Sequence, residues 1–148
     1  MGLTFRYPVN WQAGSWSADV SSFSALVVAL GTERLSDPCV SAGTVGTCGL
    51  PITALPAGGI LVEWRDNGFP GWHRPAPDTV IGGDPASETK TSGGWCARAG
   101  GSEDLTVVIP QAGRPDDWFQ MDACLRGPGL AAARAAVAGM LSTVRIAP

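Results

Sequence analysis

The sequence predicts an α+β domain: an antiparallel β-sheet with a C-terminal amphipathic helix packed on it. Two stretches carry that expectation. Over residues 118–126, Phe119, Met121, Ala123 and Leu125 alternate with Gln120, Asp122, Cys124 and Arg126, the period of a strand covered on one face. From Leu130 the period changes, and Leu130, Ala133, Val137, Met140, Leu141 and Val144 recur three and four residues apart. That is one apolar stripe of a helix, and such a stripe needs a sheet to lie on.

The elements follow in order. Leu3, Phe5 and Tyr7 alternate with polar neighbours until Pro8 stops the strand, and residues 12–17 predict a second short strand carrying Trp16. Residues 23–31 predict a stronger strand, with Phe23, Ala25, Val27 and Ala29 on one side and Leu26, Val28 and Leu30 on the other. Apolar residues on both faces place it inside the sheet, near its centre. Residues 33–56 are irregular, with one helical turn expected at 52–55. Ile60, Val62 and Trp64 mark a third strand, closed by the turn signal Asp66-Asn67-Gly68.

Residues 69–77 form an aromatic, proline-rich loop, and 84–94 a polar loop. Residues 95–99 and 105–110 are expected to pair as a hairpin about Gly100-Gly101-Ser102-Glu103-Asp104. Residues 112–116 then turn into the strand at 118–126, which completes a three-stranded meander. Gly127-Pro128-Gly129 ends that strand, and Pro128 suits the first turn of the helix. Five alanines between 131 and 136 favour a helix of about 15 residues, roughly 22 Å long. Gly139 costs about 1 kcal/mol against alanine in mid-helix, and fits either a close approach to the sheet or a surface position.

At 148 residues the chain is expected to be one domain, 1–148, with a core of its own. The net charge is -3 and Lys90 is the single lysine. There is no basic stripe, so nucleic acid is not an expected partner. No apolar run reaches the roughly 18 residues of a membrane span. The chain leads from Met1 straight into a strand, without a signal peptide, which suits a protein whose signal or anchor lies upstream.

Cys39, Cys48, Cys96 and Cys124 make an even count, compatible with two disulfides in an oxidising compartment. Three pairings exist. We favour Cys39–Cys48, which closes a short loop rich in Gly, Ser and Thr, together with Cys96–Cys124. The alternative is four reduced thiols in a cytoplasmic protein. No Cys-x-x-Cys pair occurs and His73 is the only histidine, so no metal site is expected.

Catalytic signals are sparse. A serine or cysteine nucleophile needs a base, and His73 is the only imidazole. No glycine motif for phosphate or a dinucleotide occurs, and no cofactor is expected. Asp116 with Asp117, Glu103 with Asp104, and Asp78 with Asp84 suit turns, where aspartate bonds the local backbone. Trp64 and Trp95 are expected in the core, whereas Trp11, Trp72 and Trp118 border turns. The candidate binding residues are Phe69, Trp72, His73 and Arg74, held between Pro70, Pro75 and Pro77. Tryptophan and arginine are common binding anchors, and prolines limit the ordering cost. Alternatively, Phe69 and Trp72 fold back as a lid on the sheet.

The segment Phe5-Arg6-Tyr7-Pro8-Val9-Asn10-Trp11 resembles the strand-Pro-x-x-Trp opening of PsbP-like domains. The closing order of strand, turn, helix and Leu141-Ser142-Thr143-Val144-Arg145 is also similar. The resemblance implies a PsbP-like α/β sandwich, as in exported domains of GC-rich bacteria. Family members include extrinsic photosystem II subunits and a nuclear Ran-binding protein, mostly binding or assembly modules, and no functional residue carries over from them. The expected function is therefore a non-enzymatic binding or accessory domain, secreted or anchored outside the cytoplasm. It would engage a protein or small ligand as a monomer or weak dimer. The alternatives are a hydrolase-like or transferase enzyme using His73 with a carboxylate, and a small-ligand or lipid carrier with a cavity between helix and sheet.

Overall fold

The computed structural model describes residues 2–14, 16, 18–42 and 45–147. Its main element is an antiparallel sheet with the strand order β2-β4-β7-β11-β10-β9-β8, in which β3 also pairs with β4. The strands are β2 (Gln12–Gly14), β3 (Ala18–Ser21), β4 (Ser24–Gly31), β7 (Ile60–Gly68), β8 (Thr79–Ile81), β9 (Asp84–Thr91), β10 (Glu103–Pro110) and β11 (Asp117–Leu125). β1 (Gly2–Thr4) pairs with β12 (Arg145–Ala147), and β5 (Cys39–Ala42) with β6 (Val45–Cys48). The helix α1 spans Leu130–Leu141. The architecture is α+β, as the sequence predicts.

α1 lies on the sheet as its stripe requires. Ala133, Val137, Met140 and Leu141 join Val62, Trp64, Val107, Ile109, Phe119, Met121 and Ala123 in one core. These side chains fill the space between helix and sheet. Phe5 stacks on Trp64 at 5.4 Å from the side of the N-terminal segment. Gly139 is exposed, and a Cβ there would meet nothing within 4 Å, so its surface reading holds. The helix starts at Leu130, after Gly129 at φ 92°, and Pro128 precedes it rather than opening its first turn.

Several expectations are corrected. The strand at 118–126 is covered on both faces over 121–125, where Asp122 and Cys124 are buried along with Met121 and Ala123, while Trp118, Gln120 and Arg126 stay partly exposed. A second small core of Leu55, Leu61, Cys96 and Cys124, with Trp95 against it, covers the side away from α1. Residues 95–99 form a 3-10 helix instead of a strand, and β9, within the expected polar loop, takes their place beside β10. β7 runs on through Asp66-Asn67-Gly68, since Asn67 pairs with both Ser24 and Trp118. β4 is interior but one strand in from the edge, with β11 at the centre between β7 and β10. Residues 5–7 lie outside β1, and residues 52–55 form no helix. Positions 15 and 17 of the expected strand at 12–17 lie outside the described residues.

Both favoured disulfides are present, Cys39–Cys48 and Cys96–Cys124. The first joins directly opposed residues of the β5–β6 hairpin. The second ties the 3-10 helix to the central strand β11.

Candidate functional site

The loop leaving β7 is fixed by its own chemistry. Phe69-Pro70-Gly71-Trp72 closes with the Trp72 N–H on the Phe69 carbonyl at 3.0 Å. Gly71 sits at φ 77°, so Pro-Gly occupies the two central positions of a type II turn. The Gly71 N–H donates to Asp116 Oδ1 at 3.0 Å, and the Phe69 N–H to the Asp116 carbonyl at 2.9 Å. At the far end Asp78 accepts the Glu88 N–H at 2.9 Å and donates its own N–H to the Ala86 carbonyl at 3.0 Å. Aspartates at both ends thus pin a proline-rich loop, and binding there loses little chain entropy.

The predicted site residues divide. Trp72 stacks on Trp118 with ring centroids 4.2 Å apart and planes 12° from parallel, so it covers the sheet. Phe69 makes an edge contact with Phe23 at 4.9 Å, and each ring remains about half exposed, at 48% and 49%. His73 and Arg74 are exposed. Among the described residues His73 enters no ion pair or side-chain hydrogen bond.

Arg74, Pro75 and Pro77 wall a cleft of about 370 Å³ against Pro85, Val108 and Pro110. Its origin is local. The β9–β10 ladder ends at Ser87 and Val108, where Pro85 and Pro110 follow on the two strands. Neither proline has an N–H to extend the ladder, so the strands fork and the cleft opens between them. Gln111 is 1% exposed at its base, and its Nε2 donates to Asp66 Oδ1 at 2.7 Å. The volume falls in the range of small-ligand sites. Arg74 and Asp84 both line the cleft, and neither is in an ion pair among the described residues.

A second group lies on the face of the sheet away from α1. Trp118 Nε1 donates to Gln120 Oε1 at 3.2 Å, and Gln120 Nε2 to Asp122 Oδ2 at 2.7 Å. Thr106 Oγ1 donates to Asp122 Oδ1 at 2.8 Å, and Arg65 pairs with Glu63 at 2.5 Å. Glu63 and Asp122 are direct partners across β7 and β11, and both are buried. Burial pushes the Glu63 carboxyl above its ordinary range, against the opposing pull of Arg65. Asp104 is likewise raised by burial; the backbone N–H groups of Cys96, Gly94 and Trp95 pull the other way. Its oxygens make no well-aligned hydrogen bond among the described residues.

Asp104 is therefore no turn residue, and sequence reasoning missed Glu63 and Asp122 altogether. The alternation at 118–126 did mark Asp122 as facing away from α1, but nothing local announces that this face is covered too. Cys96, Asp104 and Cys124 place their ligand-type atoms within 4.8 Å of one another. Both sulfurs are bonded to each other, which leaves a lone carboxylate rather than a metal-ligand set. The chain matches no family model, no curated protein and no solved structure.

Proposed function

We propose that this chain is a non-enzymatic binding domain of an oxidising, extracytoplasmic compartment, with its site at the loop 69–77. The observation that carries the reading is the cleft of about 370 Å³ between Arg74 and the Pro85–Pro110 fork. It takes an apolar group of a small ligand or of a short partner segment, oriented at the rim by Arg74 and Asp84. Phe69, paired with Phe23, lies outside the lining of the cleft and is not part of the proposed contact. Trp72 supports the loop from beneath and is not the anchor. Two disulfides fit such a compartment, and none of the described helices is long and apolar enough to cross a membrane. The PsbP-like resemblance supports the same reading, since that family consists mostly of binding and assembly modules.

Amide chemical-shift mapping with a library of small aromatic and aliphatic fragments tests the site. Shifts are expected at Arg74, Ser87, Val108 and Gln111, and loss of them in Ala112→Trp, which fills the cleft from its rim. Fragment shifts centred on Glu63 and Asp122 instead would overturn the reading and point to the buried carboxylates.

A further inference from the structure

Two hollows meet beside the last turn of α1, and they share no lining residue with the proline-walled cleft. One, of about 460 Å³, is lined by Thr4, Phe5, Arg6, Ser142, Thr143 and Arg145. The other, of about 320 Å³, runs from Arg6 and Thr143 along Tyr7, Pro8, Ala136, Gly139 and Met140. The first carries two guanidinium groups, of which Arg145 gives one N–H to the Val144 carbonyl, and three hydroxyls that each donate to a backbone carbonyl, so the guanidinium groups are its donors for an anion. The second is walled by apolar side chains.

Neither Arg6 nor Arg145 forms an ion pair among the described residues. The charge pattern along the chain sharpens this. No Asp or Glu occurs in residues 1–18 or beyond Asp122, although the net charge is -3. The side chains of the two terminal segments that build this surface therefore contribute positive charge alone.

The carbonyl end of a helix opposes an anion, but here the last carbonyls are occupied. The Ser142 N–H donates to Ala138 at 2.9 Å and the Ser142 hydroxyl to Gly139 at 2.7 Å. Met140 accepts from both the N–H and the hydroxyl of Thr143, and Leu141 accepts from the Val144 N–H. The floor of the apolar groove is low because Gly139 has no side chain, and a Cβ there would enter open space. Tyr7, 39% exposed, and the fully exposed Val9 continue the apolar surface.

We propose that this surface binds a single-chain anionic amphiphile. Its head, a phosphate or carboxylate, sits between Arg6 and Arg145, where guanidinium groups match planar or tetrahedral oxyanions. Its alkyl chain lies along the groove from Tyr7 to Gly139, whose volume is at the small end for ligand sites and suits one short chain.

Calorimetric titration of the whole chain with inorganic phosphate, decyl phosphate and decyl maltoside, each below micelle formation, tests the proposal. Decyl phosphate is expected to bind one to one and at least about tenfold tighter than inorganic phosphate, since each buried methylene multiplies affinity roughly fourfold. Decyl maltoside, which lacks the charge, is expected to bind at least about tenfold more weakly than decyl phosphate. Gly139→Leu fills the groove and favours the helix. Its melting temperature is expected to be no lower than the wild type's, while its affinity for decyl phosphate falls to that for inorganic phosphate. Arg6→Gln with Arg145→Gln is expected to weaken both phosphates about tenfold. The proposal fails if decyl phosphate binds no tighter than inorganic phosphate, or if Gly139→Leu binds it as the wild type does. It fails equally if only vesicles containing phosphatidylglycerol bind, which would make the surface a membrane contact.

Discussion

Single residues decide much of this fold by what they exclude. A Cβ at Gly101 would lie 1.8 Å from Cys96 Sγ and 2.5 Å from Cys124 Sγ, so only glycine lets the chain pass the disulfide. Gly101→Ala is expected to prevent that bond or displace the 3-10 helix, at a cost of about 2–5 kcal/mol; thiol counting under denaturing conditions checks it. Trp72 is half-buried, with its ring stacked on Trp118. Trp72→Ala should therefore lower the melting temperature, with a loss of about 1–3 kcal/mol from ring burial and stacking. An unchanged melt would show that the stack contributes nothing. Glu63 gives a pH dependence with a definite sign. Its folded-state pKa is raised, by burial first, so the folded protein holds the proton more tightly than the unfolded chain. The stability this provides is complete below the ordinary carboxylate range and is lost as pH rises through the folded value. Glu63→Gln is expected to melt higher than the wild type at pH 8, with the difference vanishing towards pH 4, in thermal melts across that range.

Elements differ in how openly their sequences declare them. β4, β7, β10, β11 and α1 were legible because each carries its own apolar period. β9 was not: Asp84-Pro85-Ala86-Ser87-Glu88-Thr89-Lys90-Thr91 has no such period, and it becomes a strand because the edge of β10 offers it a ladder. The 3-10 helix at Trp95–Ala99 looked like a strand because its constraint, the bond to Cys124, lies 28 residues away. The candidate site was legible in the same uneven way. The proline and aromatic cluster at 69–77 marked the loop, but the cleft also needs Pro85 and Pro110, which meet only through strand pairing. For α1 the expected buried face can be tested directly. Val137→Asp places an unpaired charge at a fully buried position and is expected to unfold the domain, a cost of several kcal/mol against a total of about 5–15. Ala132→Glu, on the exposed side, should melt within about 2 °C of the wild type.

At the scale of the whole molecule, the sheet is closed on one side by a helix and on the other by loops and a 3-10 helix that depend on a disulfide. Removing both disulfides should cost about 3 kcal/mol for the shorter loop and about 4 for the longer in the chain-entropy account. Melts with and without reductant, compared with Cys39→Ser/Cys48→Ser, separate the two. The hairpin variant is expected to melt closer to the wild type, because β5 and β6 form a two-stranded sheet of their own, whereas Cys96–Cys124 holds down the second cover of the main sheet.

The pairing of β1 with β12 matters in a different way when the chain is pulled. Gly2 lies opposite Ala147, and Thr4 opposite Arg145, so a force applied at residues 2 and 147 opens this ladder one rung at a time. Rungs broken in sequence yield at lower load than rungs sheared together. A domain tethered at one end and dragged at the other would first shed these two short strands. The next strain would fall on Arg6, Thr143 and the end of α1, while the wide sheet beneath stays intact.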